Sequence, residues 1–418
     1  MITFSKKFYS QIHHFSSKEI SVKLLVVHHS RDLKSDHIYR NDDYLLANNT
    51  LYGAQEMDTW AGVRLFAKKH SVWRLQVCPN YNSLRLIDPL GNLVQQIFIP
   101  PSSRLGKVKD LGFLRSLFIW TDTSIAQYGA TSFRNGFRKI LGDYSFDKIW
   151  VETQFYEAAI PSSVPHLIRT VNFEPYHAFT ESHGLPRYLR ALTRLISERR
   201  VFRRNIGFAI SPLDHDRYLR IGIRKMGIIP LRQLAFISQL TVSPINSRKT
   251  FLIIGSTYEV LHNRRNLMFL LNELAPQIRK YDPEIRFQIF GNRLPEGLKI
   301  PNNCEYLGFD PDLQARIVGA TGVIVPFHGG AGMQSKIFEP LCLGSAVIAN
   351  PKSLVGYPYI ANEHYIAATN LHEYIEAILI LTSDSEKVKS ISLSARNKSQ
   401  ELFTESAFVA KIDKAIQD

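Results

Sequence analysis

The residues best suited to chemistry lie within positions 322–351, GVIVPFHGGAGMQSKIFEPLCLGSAVIANP. A glycine-rich loop at 329–332 precedes a segment with helical periodicity that carries Lys336 and Glu339. Glycines let the backbone turn sharply and approach a ligand, and the first N–H groups of a helix attract phosphate. Because Lys336 and Glu339 are three residues apart, they share one helix face. The pattern predicts a nucleoside diphosphate site, with the lysine near the phosphates and the carboxylate on the ribose hydroxyls; the alternative is an ordinary glycine-rich turn beside a solvated Lys–Glu pair.

The elements around the loop predict a parallel βαβ unit. An apolar run at 323–327 comes before the glycines, helical periodicity covers 333–343, and a second apolar run covers 346–349. This alternation is typical of a parallel sheet, whose ligands bind beyond the carboxyl ends of the strands. It recurs along the chain and predicts an α/β protein with two doubly wound parallel sheets. The further predicted strands are 23–29, 72–78, 147–152, 166–172, 207–211, 251–255, 286–290 and 305–307.

The stretch GGAGMQSKIFEPLCLGSAVIANP resembles the donor-nucleotide motif of retaining glycosyltransferases with the GT-B fold. In that family a lysine contacts the donor diphosphate and a glutamate contacts the ribose, and Lys336 and Glu339 occupy those positions. Many members carry a second glutamate upstream, where this chain has Gly332. The resemblance implies two Rossmann-like domains that face each other across a cleft. We expect an acceptor-side domain at 1–243, a donor domain at 244–400 after a linker around 238–250, and a C-terminal helix at 401–418 that crosses back onto the first domain.

The resemblance also implies a set of site residues. The segment GSTYEVLHNR, residues 255–264, is similar to the family's first donor-domain strand and the turn that lines the diphosphate cleft. Glu152 takes the place at a strand end where many relatives carry a histidine near the reaction centre, so Lys336 and Glu152 are the catalytic candidates; the alternative for Glu152 is a capped or solvated strand end. No metal ligand is expected, because Asp310 and Asp312 are read as the cap of the following helix. The expected donor-binding residues are Gly255, Ser256, His262, Asn263, Arg264, Gly291, Phe309, His328, Gly329, Gly330, Ala331, Gly332, Met333, Gln334, Ser335, Lys336 and Glu339.

The activity that the resemblance implies is transfer of a sugar, such as a hexose, from a nucleoside-diphosphate sugar to an acceptor hydroxyl. We expect the reaction to proceed with retention, without a metal and without a cofactor beyond the donor substrate. We also expect a role in glycan, polysaccharide or glycolipid biosynthesis. The acceptor would be a glycan, a lipid-linked molecule or a protein. Two alternatives stay open: a GT-B-like protein that binds a sugar nucleotide without turnover, suggested by Gly332, and a basic nucleic-acid-binding protein. The pI of about 9.6 favours the latter, but no recognised nucleic-acid-binding motif is present.

Composition limits the class of protein further. The 418 residues are too many for one ordinary core, and 45% hydrophobic with 21% charged residues is typical of globular domains. Cys78, Cys304 and Cys342 are too few and too widely spaced for a disulfide framework or a zinc site, which favours a reducing compartment. The sequence has no secretory signal and no apolar run long enough to span a membrane. A cytoplasmic protein is expected, with a peripheral membrane contact as a further expectation.

The charge is unevenly distributed. Residues 1–247 carry 33 Lys and Arg against 19 Asp and Glu, whereas 248–418 carry 18 of each. Seven arginines and one acid, Glu198, fall in a predicted helix at 187–204, which could lie on an anionic membrane or could simply be solvated. Helical periodicity predicts that its apolar residues face the core. Those residues are Leu189, Leu192, Leu195, Ile196 and Phe202.

Overall fold

Two sheets, each flanked by helices, make up the described part of the chain. The computed structural model describes residues 21–29, 54–78, 82–100, 109–182, 184–244, 247–326 and 332–417. Residues 30–53, which follow the first strand, lie outside these ranges, as do His328, Gly329, Gly330 and Ala331. The two sheets follow one another along the chain, so each sheet collects the strands of one half.

The first sheet is parallel except for a hairpin at one edge. Its strands are β1 (Lys23–His29), β2 (Ser71–Cys78), β3 (Ser83–Ile87), β4 (Leu93–Phe98), β5 (Lys148–Val151), β6 (Leu167–Arg169), β7 (Ile206–Ala209) and β8 (Met226–Ile228). They lie in the order β4-β3-β2-β1-β5-β6-β7-β8, with β3 and β4 antiparallel to their neighbours. The helices of this half are α1 (Ala54–Phe66), α2 (Leu111–Trp120), α3 (Thr123–Ala126), α4 (Thr131–Asp143), α5 (Glu174–Thr180), α6 (Pro186–Arg204), α7 (Pro212–Arg220) and α8 (Leu234–Ile237).

The second sheet is parallel throughout. Its strands are β9 (Ser247–Thr257), β10 (Arg286–Asn292), β11 (Cys304–Gly308), β12 (Ala320–Val325), β13 (Val347–Ala349) and β14 (Ile366–Ala367). Their order, β11-β10-β9-β12-β13-β14, is that of a doubly wound sheet, and the winding direction reverses between β9 and β12. The helices of this half are α9 (Leu261–Phe269), α10 (Ala275–Tyr281), α11 (Leu313–Gly319), α12 (Ser335–Leu343), α13 (Leu371–Ser383), α14 (Ser385–Leu402) and α15 (Glu405–Gln417).

The central strands form where the sequence has continuous apolar runs. Leu24, Leu25 and Val26 in β1 have no measurable exposure, and Val323 in β12 has none either. Helices cover both faces of these sheets, which explains why the strands are apolar throughout rather than alternating. The predicted α/β class with two doubly wound sheets is therefore confirmed.

The last helix, α15, contacts the first half of the chain. Its Asp413 accepts a hydrogen bond from His70 Nε2 at 3.1 Å and forms an ion pair with Lys69 at 2.6 Å, just after α1. Phe408 and Ile412 on the same helix are buried. These contacts join the C-terminus to the first sheet's layer of helices, while the exact domain bounds 1–243, 244–400 and 401–418 stay a prediction.

Two expectations about elements were wrong. The predicted linker at 238–250 is shorter, because β9 already begins at Ser247. The leucines of α6 do not all face the core, since Leu189 is 65% and Leu192 52% exposed. The buried residues of α6 are two polar ones, Ser197 and Glu198, and two apolar ones, Val201 and Phe202. Among the described residues, no helix is long and apolar enough to cross a membrane.

Candidate functional site

The crevice between β9 and β12 is the place where a doubly wound sheet binds its ligand, because neighbouring loops turn away to opposite faces there. A small cavity lies at the carboxyl ends of these two strands. The side chains and backbone that line it come from both strands and from the two helices that follow them. They include Ile254, Tyr258, Asn263, Val325, Pro326 and Lys336.

Two backbones approach each other closely next to this crevice. Gly291 in β10 has φ of +136°, and a Cβ there would collide with the carbonyl group of Gly255 in β9. Only glycine fits such a position without strain. Tyr258 Oη donates to the Phe290 carbonyl oxygen at 2.9 Å and fixes the turn after β9. Gly255 and Gly291 therefore contribute to this region by allowing their two strands to approach closely, not by a side chain.

Lys336 lies in the first turn of α12 and points towards α9. Its Nζ donates to Asn263 Oδ1 at 3.1 Å, which joins the helices that follow β9 and β12. Burial lowers the pKa of Lys336 to about 8, while the Glu181 carboxylate acts in the opposite direction. A partly buried ammonium at a helix start is poorly placed unless an anion joins it, because the helix end is itself positive.

Glu339 lies one turn further along α12. Its Oε1 accepts a hydrogen bond from Gln233 Nε2 at 2.5 Å, and Gln233 belongs to the segment that leaves the first sheet. Burial raises the pKa of Glu339 to about 7, although the Gln233 hydrogen bond acts to lower it. The structure thus brings the predicted lysine and glutamate to consecutive turns of one helix, each in an environment that disfavours its charge without a ligand.

Glu181 reaches across from the first half of the chain to the start of α9. Its Oε2 accepts the backbone N–H of Leu261 at 3.0 Å, and its Oε1 contacts His262 Nδ1 at 2.8 Å. Burial alone would raise the pKa of Glu181, but the His262 hydrogen bond and charge hold it below its usual value. This carboxylate therefore occupies the N-terminus of the helix that carries Asn263, as an anionic ligand would.

The residues just before α12 also contact the first half of the chain. Gly332 has φ of +71°, and a Cβ there would lie 2.7 Å from Asn172 Oδ1, so a side chain at this position would collide with the opposite domain. Met333 is buried, and its sulfur accepts the Leu231 N–H at 3.4 Å. A second cavity opens beside these residues, between Arg217 and Tyr176 on one side and residues 352–357 on the other. The loop predicted to bind the donor thus ends at the interface between the two halves.

Glu152, the other catalytic candidate, lies in a buried ionic network. Both of its carboxylate oxygens bind Arg232, at 2.6 and 2.8 Å, and Trp150 Nε1 donates to Oε1 at 2.8 Å. Asp58 bridges Arg232 and Arg169 from the other side, and burial would raise its pKa but the two guanidinium groups lower it. A carboxylate engaged in this way has no free oxygen for substrate, so we assign Glu152 to the network rather than to the reaction.

The other predicted residues fall into three groups. The buried ones are Gly255, Gly291, Asn263 and Met333. The partly buried ones are His262, Gly332, Gln334 and Ser335, and the exposed ones are Ser256, Arg264 and Phe309. His328, Gly329, Gly330 and Ala331 lie outside the described residues. Sequence reasoning missed Glu181 and Gln233, because their partners are 80 to 106 positions away and neither residue belongs to a recognisable motif. Within the described ranges, no group of three or more His, Cys, Asp or Glu side chains is arranged to hold a metal ion.

Comparisons with known proteins add to this geometry. Residues 248–384 match the family model described as Glycosyl transferases group 1. Sucrose-phosphate synthase from Thermosynechococcus elongatus is similar in structure, with TM-score 0.62 and 13% identity over 94% of this chain and 98% of that chain. No curated protein sequence matches the chain significantly.

Two further solved structures are similar over almost their whole length. HepE from Anabaena, in complex with UDP-glucose, has TM-score 0.56 and 12% identity over 95% of this chain and 99% of that chain. A TarM variant from S. aureus, in complex with fondaparinux, α-GlcNAc-glycerol and UDP, has TM-score 0.56 and 10% identity over 95% and 100%.

The fold is therefore GT-B, with two Rossmann-like domains, and the predicted fold class is confirmed. Within it, residues 248–384 carry the group 1 glycosyltransferase sequence pattern around the crevice of Lys336 and Glu339, which confirms the predicted resemblance to GT-B glycosyltransferases.

Proposed function

We propose that the protein transfers a sugar from a nucleoside-diphosphate sugar to an acceptor hydroxyl, with retention at the anomeric carbon. The observation that carries the proposal is the convergence of Lys336 and Asn263 at one crevice, with Glu339 one turn further along the same helix. It lies at the switch point of a parallel sheet whose sequence matches the glycosyltransferase family. HepE in complex with UDP-glucose and TarM in complex with UDP support a nucleotide donor.

The pKa of Lys336 explains how the site would select a diphosphate. Near neutral pH a pKa of about 8 leaves the ammonium mostly charged but poorly solvated. A dianionic group beside it favours the charged form and raises its pKa. The same ammonium and the first N–H groups of α12 then stabilise the charge that develops on the leaving diphosphate. Lys336 is thus proposed to bind the donor and to promote departure of the leaving group.

Glu339 is proposed to hold the ribose. Its carboxylate lies one helical turn beyond Lys336, so a diphosphate on the lysine would place the adjoining ribose near it. Gln233 fixes the carboxylate from the other domain. Because Glu152 is not free to act as a base, we propose that the leaving phosphate itself takes the acceptor proton, which is compatible with retention.

The site is proposed to work without a metal ion, because Lys336 and the N-terminus of α12 supply positive charge to the diphosphate. Transfer should therefore continue in excess EDTA. Loss of turnover in EDTA that manganese or magnesium restores would contradict this part of the proposal. The acceptor is proposed to be a glycan, a lipid-linked molecule or a protein that enters from the first domain, in the biosynthesis of a polysaccharide or glycolipid inside the cell.

The first experiment is a thermal unfolding screen against nucleoside diphosphates and their sugars, beginning with UDP and UDP-glucose. A ligand that binds only the folded protein raises the unfolding temperature. Proton NMR of the same mixtures then follows donor hydrolysis and the anomer that is released. Binding followed by an α product from an α donor is the expected result. Binding without turnover in the presence of candidate acceptors would favour the non-catalytic alternative, and no binding of any nucleotide would contradict the proposal.

A further inference from the structure

Two helices of the first domain leave large apolar side chains in water. On α2 the exposed residues 111, 114 and 118 follow the spacing of one helix face, and residues 185, 189 and 192 do so at the start of α6. The side chains and their exposed fractions are Leu111 80%, Leu114 40%, Phe118 86%, Leu185 84%, Leu189 65% and Leu192 52%. Single exposed apolar residues are ordinary, whereas a group of this kind marks a surface that contacts something.

The two helices are in direct contact, so the two apolar stripes lie on neighbouring helices. Thr121, directly after α2, donates from Oγ1 to the carbonyl oxygen of Thr193 on α6 at 3.2 Å. Trp120 of α2 and Phe202 of α6 are buried on the opposite faces. The apolar stripes are therefore not turned towards the core, which also explains why helical periodicity misassigned Leu189 and Leu192.

The exposed stripe of α6 changes from apolar to basic along the helix. Arg199, Arg200 and Arg203 continue the spacing of Leu189 and Leu192, and all three are exposed. None of the three forms an ion pair with any residue in the described ranges. Their positive charge is therefore available to an outside partner.

A second group of basic residues lies beside the stripe of α2. Arg115 is exposed on α2, and burial together with the neighbouring charges of Arg138 and Arg115 lowers the pKa of Arg134 on α4. Arg115 and Arg134 are therefore close enough to repel each other, and neither forms an ion pair with any residue that the structure describes.

The acids in this region are engaged elsewhere. Asp110 caps the start of α2 and accepts from Thr131, and Asp122 and Glu174 contact Arg194. Glu198 is buried, which raises its pKa well above the usual value. Arg194 is thus neutralised within the protein and does not belong to the free basic surface.

We propose that this docking surface, the apolar stripes of α2 and α6 with Arg115, Arg199, Arg200 and Arg203, binds an anionic lipid bilayer. Leucine and phenylalanine side chains enter the boundary between headgroups and acyl chains, and arginines remain beside the phosphates. A nucleic acid or an acidic protein would match the arginines but would leave the leucines in water. The surface lies on the proposed acceptor-side domain, so it implies a lipid-linked acceptor, and this last step alone rests on the proposed function.

The experiment is sedimentation of the full chain with vesicles of phosphatidylcholine alone and with one quarter phosphatidylglycerol, at 50 and 500 mM salt. We expect wild-type protein to bind the anionic vesicles at 50 mM salt at least tenfold more tightly than the neutral ones. Salt should weaken binding without abolishing it, because the apolar contacts are not screened. The double variant Phe118→Ser/Leu189→Ser and the triple variant Arg199→Glu/Arg200→Glu/Arg203→Glu should each lose at least tenfold in affinity.

Matched controls lie on the donor domain. Leu393→Ser replaces a leucine that is 62% exposed on α14, and Arg279→Glu/Lys280→Glu/Lys299→Glu makes the same change in net charge. Both controls should bind vesicles like the wild type, and all variants should keep the wild-type unfolding temperature and UDP affinity. If Arg279→Glu/Lys280→Glu/Lys299→Glu loses as much vesicle affinity as the triple variant of α6, the effect is due to net charge alone and the proposal is overturned.

Two further results would also overturn it. Wild-type protein that ignores anionic vesicles at 50 mM salt has no such surface. A wild-type dimer in analytical ultracentrifugation that Phe118→Ser/Leu189→Ser converts to a monomer would show that a second copy covers the stripes instead. Failure of UDP to bind would contradict the proposed function without affecting vesicle binding, so the two proposals fail separately.

Discussion

At the scale of single residues, the candidate site contains ionisable groups whose burial is unfavourable for folding but useful for binding a ligand. Lys336 and Glu339 both have pKa values shifted towards neutrality by burial, to about 8 and about 7. Lys336 and Glu339 do not form an ion pair with each other. Their hydrogen-bond partners are the neutral side-chain amides of Asn263 and Gln233. The protein therefore holds a cation and an acid in poorly solvated positions, which is typical of sites that await a ligand.

Glu339 gives a prediction about stability and pH. Its pKa is about 7 in the folded chain against 4.5 in a free side chain, so the folded state binds the proton more tightly. The free energy of unfolding should therefore fall as pH rises from about 4.5 to about 7. Glu339→Gln removes this titration and should be more stable than the wild type at pH 8 by about 2–3 kcal/mol, but not at pH 4.

Urea unfolding at pH 4, 6 and 8 measures this effect. Glu296→Gln is the control, because Glu296 is an exposed glutamate of the same domain. If the free energy of unfolding changes with pH in the same way in the wild type and in Glu339→Gln, burial does not raise the pKa of Glu339.

At the scale of elements, a carboxylate from the first half of the chain binds the start of α9 in the second half. The carboxylate of Glu181 binds the Leu261 N–H and His262, next to the helix that presents Asn263 to Lys336. It therefore takes the place that a phosphate would take at a helix start. The element geometry implies that donor phosphates compete with Glu181 for these groups.

Glu181→Gln should consequently bind UDP more tightly, by about fivefold, because a charge at a helix start contributes about 1 kcal/mol. Isothermal calorimetry at 50 and 500 mM salt measures the change, which should shrink at the higher salt. Glu259→Gln is the control, because Glu259 is also close to α9 but contacts the exposed Arg293. Weaker UDP binding by Glu181→Gln than by the control would show that the carboxylate supports the donor site instead.

Elements were the level at which sequence reasoning was most accurate, and the reason is physical. Continuous apolar runs such as those of β1 and β12 can be buried only in a sheet covered on both faces, so their type was predictable. The placement of Lys336 and Glu339 on one helix after β12 was predictable because the sequence pattern is local, whereas their roles in donor binding stay a prediction. Glu181, Gln233 and Arg232 were not, because each meets its partner only through the fold. The outward leucines of α6 were misread because periodicity shows which residues share a face but not what that face contacts.

At the scale of the whole molecule, one buried network connects three elements of the first domain to the chain that leaves it. Arg232, which follows β8, binds Glu152 after β5 and Asp58 on α1, and Asp58 in turn binds Arg169 of β6. The network therefore fixes the segment that carries Gln233 towards Glu339. Gln233, directly after Arg232, donates a hydrogen bond to Glu339 of the second half.

Arg232→Met should lower the free energy of unfolding by about 3–5 kcal/mol, because it leaves Asp58 and Glu152 buried with fewer cations. Urea unfolding measures the loss, with Arg224→Met, an exposed arginine of the same domain, as the control. A loss no larger than the control's would show that the network does not stabilise the fold.

The most direct test of the account is the affinity of UDP-glucose, or of the best nucleotide sugar found, for Lys336→Ala compared with the wild type. Calorimetry at pH 7 should show a loss of about 1–3 kcal/mol, the cost of removing a charge-assisted hydrogen bond. Lys299→Ala, on the exposed surface of the same domain, should bind like the wild type. Equal affinities for wild type and Lys336→Ala would contradict the claim that this crevice is the donor site.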